Sequence, residues 1–173
     1  MMKRVGGVLV AVLFALVTPQ TGSTAPIEEG YFAAINGTEQ WITIRGKDLR
    51  NPILLFLHGG PGAAQSGTAP LFAAWEETFT IVHWDQPMSG ATYAKNIGKD
   101  VGPLTVERYT RDGIAVIEHV RKKLGARKLV VMGASWGSQL GLIIADRRPD
   151  LIPPYVRAGQ AVSRTRGVAI GPQ

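Results

Sequence analysis

The residues best placed to do chemistry lie in Gly133-Ala-Ser135-Trp-Gly137, a serine between two glycines at the spacing G-x-S-x-G. The chemistry would be nucleophilic attack by the Ser135 hydroxyl on an acyl carbon. Upstream, Leu129 to Met132 is an apolar, β-branched run of the kind buried in a parallel sheet. Downstream, Leu140-Gly-Leu-Ile-Ile-Ala145 continues as an apolar helix. A strand that turns into a helix across one residue needs neighbours without Cβ, because the two elements approach closely there. Such a turn lifts the serine above the sheet and aims the first N–H groups of the helix at the same spot.

A second apolar run, Pro52-Ile-Leu-Leu-Phe-Leu57, leads directly into His58-Gly-Gly-Pro-Gly62. Paired glycines let the backbone come close to a substrate carbonyl without side-chain interference. That is the physical requirement of a site whose N–H groups hold a developing oxyanion.

His58-Gly-Gly-Pro-Gly62, Trp84-Asp-Gln86 and Gly133-Ala-Ser-Trp-Gly-Ser138 together resemble the proline iminopeptidase branch of the α/β-hydrolase superfamily, over roughly residues 30 to 171. The resemblance implies cleavage of N-terminal residues, typically proline, from peptides, with no metal or organic cofactor. It implies Ser135 as the nucleophile and the N–H groups of Gly60 and Trp136 as the oxyanion donors. His58, Gly59, Pro61, Gly62, Gly133, Gly137, Asp85 and Gln86 would support the motifs. One departure stands out. The family continues after Asp-Gln with small, glycine-rich residues, whereas here Pro87-Met-Ser-Gly90 follows, and Met88 is expected to narrow the loop beside the site.

In this superfamily the triad runs Ser, then Asp or Glu, then His along the chain. Beyond Ser135 the only carboxylates are Asp146 and Asp150, and no histidine follows. Asp146 is expected ~16 Å down the helix at 1.5 Å per residue. His58 belongs to the glycine loop, His83 to a strand and His119 to a helix. Without an imidazole in reach, a serine hydroxyl is a poor nucleophile at pH 7. The 173 residues are therefore expected to be the N-terminal part of an α/β-hydrolase domain spanning 26–173, stopping before the cap and the last strands. Alone, this chain is expected to be inactive.

Met1-Met-Lys-Arg4 followed by the apolar run Val5–Val17 and then Ser23-Thr-Ala25 has the layout of a signal peptide over residues 1–25. The apolar run would span only ~20 Å, too short for a ~30 Å hydrocarbon core, so no stable membrane span is expected. Export to the periplasm or the exterior follows. There is no cysteine, which excludes a lipid-modified cysteine anchor and any disulfide framework. The net charge is +6, but the cations are scattered, and Arg121-Lys-Lys123 ends a helix where it complements the dipole. No basic stripe is interleaved with aromatics, so nucleic acid is not an expected partner. A small peptide or ester is.

The elements that must position these residues follow from patterning. Tyr31–Ile35 and Gln40–Arg45 alternate around Asn36-Gly37, a hairpin signal. Ile53–Leu57 and Phe79–Trp84 read as strands and Thr68–Glu77 as a short helix. Thr105 should cap a helix running to Leu124, with Val106, Tyr109, Ile114, Val116, Ile117 and Val120 on its apolar face and Gly125 as its stop. Tyr155–Ala158 should be a sixth strand. Strands alternating with helices predict an α/β fold, a mostly parallel sheet with an antiparallel leading hairpin. Two rival functions stay open at this point: an esterase or lactonase on the same fold, and a non-catalytic binding or relic domain.

Overall fold

A computed structural model describes residues 25–152 and 155–158. The expected signal peptide lies outside the described residues, apart from Ala25, and so does the chain after Ala158. The elements are β1 (Ile27–Ile35), β2 (Thr38–Gly46), β3 (Ile53–Leu57), a 3₁₀ stretch (Ser66–Phe72), β4 (Thr80–Trp84), α1 (Gly90–Asn96), α2 (Val106–Leu124), β5 (Val130–Ala134), α3 (Trp136–Arg147) and β6 (Tyr155–Ala158).

The six strands form one sheet in the order β1-β2-β4-β3-β5-β6. β1 pairs antiparallel with β2, and β2 antiparallel with β4, whereas β4, β3, β5 and β6 are mutually parallel. The leading hairpin turns on Asn36 and Gly37, both at positive φ (44° and 88°). That pair of angles is what makes Asn-Gly the preferred two-residue hairpin turn.

β3 and β4 sit at the centre and are buried along their whole length. Ile53, Leu55, Leu57, Val82 and Trp84 meet Val116, Ile117 and Val120 of α2 and Leu140 and Ile144 of α3 in the main core. Alternation puts Leu54, Phe56, Ile81 and His83 on the opposite face, where Phe72 packs edge-on against Phe56 and His83.

α2 follows expectation at both ends. Thr105 Oγ1 accepts from the Arg108 N–H at 3.1 Å, and Gly125 closes the helix in the left-handed conformation at φ 65°. Its face differs in detail. Val106 is exposed at the first turn, and Arg108 and Asp112 are buried instead. Asp112 accepts from Asn36 Nδ2, Gln40 Nε2 and Arg108 Nε, each at 2.8 Å. Gln40 Oε1 in turn accepts from Trp84 Nε1 at 2.8 Å. This polar network fastens α2 to the hairpin.

Two further departures have local causes. The helix expected over Thr68–Glu77 is a 3₁₀ stretch followed by turns, with Pro70 inside it. Proline offers no N–H and clashes with the preceding turn, so an α-helix is not propagated there. α1 was not expected at all, although Ser89 occupies the position of an N-cap before it. The Ser89 hydroxyl does not cap that helix; it donates to the Gln86 carbonyl at 2.6 Å.

Candidate active site

Ser135 sits alone between β5 and α3, at φ 50° and ψ −118°. A non-glycine residue at positive φ in a sharp turn is strained, and the strain persists only where the surroundings impose it. Two close approaches impose it here. A Cβ on Gly137 would run into the Leu57 carbonyl at the end of β3, and one on Gly133 would run into the Gly137 carbonyl. The Ser138 N–H and hydroxyl both donate to the Ser135 carbonyl, at 2.9 and 2.6 Å, starting α3 immediately after the turn. Ser135 is thereby left exposed, and its hydroxyl has no hydrogen-bond partner among the described residues.

The glycine loop reaches this serine. A Cβ on Gly59 would lie 3.2 Å from Ser135 Cβ and 3.8 Å from its Oγ. Gly60 follows at φ 112° and Gly62 at φ 110°, with a cis Gly60–Pro61 bond between them, as X-Pro geometry permits. The Ala63 N–H donates back to the Gly59 carbonyl at 3.3 Å and closes the turn. Among the described residues, neither the Gly60 nor the Trp136 N–H is engaged by a carbonyl. Trp136 is the first residue of α3, where N–H groups have no intrahelical partner.

Asp85 and Gln86 follow β4 and are fully buried. Asp85 Oδ2 accepts from Ser66 Oγ and from the Ala91 N–H, each at 2.9 Å. Its carbonyl accepts from Thr92 Oγ1 at 2.6 Å, so Asp85 organises the loop into α1. Gln86 reaches both halves of the site. Its Nε2 donates to the His58 carbonyl at 3.1 Å, and its Oε1 accepts from Trp136 Nε1 at 3.1 Å. Tyr109, which the motifs do not include, stands edge-on to Trp136 with ring centroids 5.6 Å apart and donates its hydroxyl to the Pro87 carbonyl at 3.0 Å.

Each histidine is occupied elsewhere. His58 Nε2 accepts from the Gln86 N–H at 3.2 Å, which leaves the proton on Nδ1, donated to the Gly59 carbonyl at 2.8 Å. Burial holds its pKa below the ordinary value, against the Gly59 carbonyl and Asp85, which favour the proton. His83 lies on the far face between aromatic rings, with neither ring nitrogen hydrogen-bonded among the described residues. His119 Nε2 is 3.2 Å from the Tyr31 hydroxyl. Asp146 is exposed near the far end of α3, and Asp150 pairs with Arg148 at 2.8 Å. No described imidazole or carboxylate completes a triad with Ser135. No trio of His, Asp or Glu is gathered for a metal among the described residues, and no described helix is long and apolar enough to cross a membrane.

Met88 has φ 60° and a half-exposed side chain. Its carbonyl oxygen lies 3.9 Å from the place a Cβ on Gly62 would take.

The chain matches the family model for the alpha/beta hydrolase fold over residues 52–161. It is 38% identical over 146 residues to a probable aminopeptidase of Bacillus subtilis (strain 168), covering 84% of this chain and 44% of that one. It is 37% identical over 106 residues to a proline iminopeptidase of Neisseria gonorrhoeae, covering 61% of this chain and 32% of the relative. The crystal structure of a proline iminopeptidase from Mycobacterium smegmatis superposes with a TM-score of 0.61 at 26% identity, over 78% of this chain and 45% of that one. The chain thus spans less than half the length of these relatives.

Proposed function

The chain belongs to the alpha/beta hydrolase fold family, and on that premise we propose that it carries the nucleophile half of a serine aminopeptidase of the proline iminopeptidase type. The observation that carries the proposal is Ser135 at φ 50° in a strand-to-helix turn, with Gly59 packed against its Cβ. In the proposed reaction Ser135 Oγ attacks the carbonyl of the N-terminal residue, and the Gly60 and Trp136 N–H groups receive the oxyanion. The acid and base come from chain beyond residue 173, because His58, His83 and His119 are bound up in the fold. Relatives named aminopeptidase and proline iminopeptidase favour a peptide substrate with a free N-terminus. Residues 1–25 serve as an export leader, which N-terminal sequencing of the secreted or periplasmic protein would establish.

The test compares prolyl-p-nitroanilide with p-nitrophenyl acetate, using protein expressed with the coding sequence downstream of residue 173. Preference for the prolyl amide supports the proposal. Preference for the ester favours an esterase on the same fold. A stop codon directly after Gln173 would overturn the two-part site.

A further inference from the structure

The oxyanion donors assigned above lie on two separate segments, the glycine loop and the first turn of α3, and Gln86 bridges the two. Gln86 is fully buried and divides its carboxamide between the glycine loop and Trp136. Nε2 holds the His58 carbonyl, in the peptide group that enters Gly59, and Oε1 holds the indole N–H of Trp136. Its own backbone N–H fixes the His58 ring at 3.2 Å. The carbonyl of Gln86 is held by the Ser89 hydroxyl at 2.6 Å and the Ser89 N–H at 3.0 Å, so the residue cannot drift. The same His58 carbonyl is the one a Cβ on Gly137 would approach to 2.7 Å, so Gln86 acts where the glycine loop and α3 touch.

We infer that Gln86 is a positioning residue that sets the spacing of the Gly60 and Trp136 N–H groups, and thereby their fit to the oxyanion; the inference rests on the function proposed above. A carboxamide suits the task because it is donor and acceptor in one rigid plane. Glutamate would set an oxygen against the His58 carbonyl, and leucine would leave both the carbonyl and the indole unpartnered. Oxyanion donors act on charge that develops in the transition state. Loss of their alignment should therefore lower kcat and leave KM nearly unchanged.

The experiment measures prolyl-p-nitroanilide hydrolysis by the full-length protein with Gln86→Leu, Gln86→Glu, Trp136→Phe, the Gln86→Leu/Trp136→Phe double variant and Ser135→Ala. Loss of one oxyanion donor costs about 10²–10³ in kcat, so a misaligned pair in Gln86→Leu is expected to lose about 10- to 100-fold, with KM within about threefold. Trp136→Phe, which breaks one of the same bonds at a part-exposed end, should lose less. The double variant should be no worse than Gln86→Leu. Unchanged kcat in Gln86→Leu, equal changes in kcat and KM, or additive losses in the double variant would overturn the inference. Ser135→Ala retaining turnover would instead overturn the proposed function. A reading independent of turnover comes from NMR: the Gly60 and Trp136 backbone amide resonances should both move in Gln86→Leu, and the Gly60 resonance should also move in Trp136→Phe. If both stay in place, Gln86 does not set the donors.

Discussion

Gln86 Oε1 and Trp136 Nε1 are hydrogen-bonded at 3.1 Å across 50 residues of sequence. The bond ties the loop after β4 to the residue that follows Ser135. It explains why Trp84-Asp-Gln86 belongs with the other two motifs although none of its side chains is exposed. Asp85 builds the loop into α1, and Gln86 joins that loop to the site.

Gly137→Ala should destabilise the fold severely. The new methyl would overlap the Leu57 carbonyl, a backbone atom at the end of the central strand, which has no rotamer by which to move away. Overpacking costs about 1–3 kcal/mol, and a clash with an immobile carbonyl belongs at the upper end, roughly 10 °C in melting temperature for a domain of this size. Gly67→Ala, where nothing lies within 4 Å of the added methyl, should melt like the parent. Thermal denaturation of the two variants side by side checks this.

Asp112→Ala should also be costly, by a different route. Asp112 is fully buried and accepts three hydrogen bonds, one from the guanidinium of Arg108. Removing the carboxylate leaves a buried cation unpaired, a loss of about 3–5 kcal/mol. Replacing the pair together, as Arg108→Met/Asp112→Leu, should recover much of that loss. Urea midpoints of the single and double variants give the measurement, and equal destabilisation by both would assign the loss to the Asn36 and Gln40 hydrogen bonds rather than to the unpaired cation.

Stability should depend on pH through His83. Burial, with Arg45 nearby, lowers its pKa to about 4, against 6.5 for a free imidazole; Glu76 opposes the shift. Between those values the unfolded chain binds a proton that the folded chain refuses. The contribution is therefore complete above pH 6.5 and is lost progressively as pH falls to 4. A shift of that size corresponds to a loss on the order of 3 kcal/mol. In His83→Leu the fall in urea midpoint between pH 7 and pH 4.5 should be markedly shallower. Some slope will persist, because burial also lowers His58 and His119.

Much of this arrangement was legible before the structure. Asn36-Gly37, Thr105 and Gly125 carry their turn and cap chemistry in their own side chains or in the lack of one, so the hairpin and α2 lay where local rules put them. The strand-to-helix turn at Ser135 was legible because Gly133 and Gly137 answer to a close approach that only glycine tolerates. What was not legible depended on partners distant in sequence. Nothing local to Thr68–Glu77 except Pro70 distinguishes a 3₁₀ stretch from a helix. Val130 and Met132 are only half-buried, which the apolar run of β5 does not itself encode. The joint between Gln86 and Trp136 and the edge-on contact of Tyr109 with Trp136 exist only once β4, α2 and α3 have assembled. Ser89 read as an ordinary loop residue, because its hydroxyl serves Gln86 rather than its own helix.

Covalent labelling puts the proposed role of Ser135 as the nucleophile of the full-length protein to the test. Full-length protein is treated with a fluorophosphonate and the modified peptide is identified by mass spectrometry. One phosphonyl group per molecule is expected on Ser135, with hydrolysis of prolyl-p-nitroanilide lost in step with labelling and absent from Ser135→Ala. Turnover that survives in Ser135→Ala, or a label carried by another residue while Ser135 stays unmodified, would contradict it.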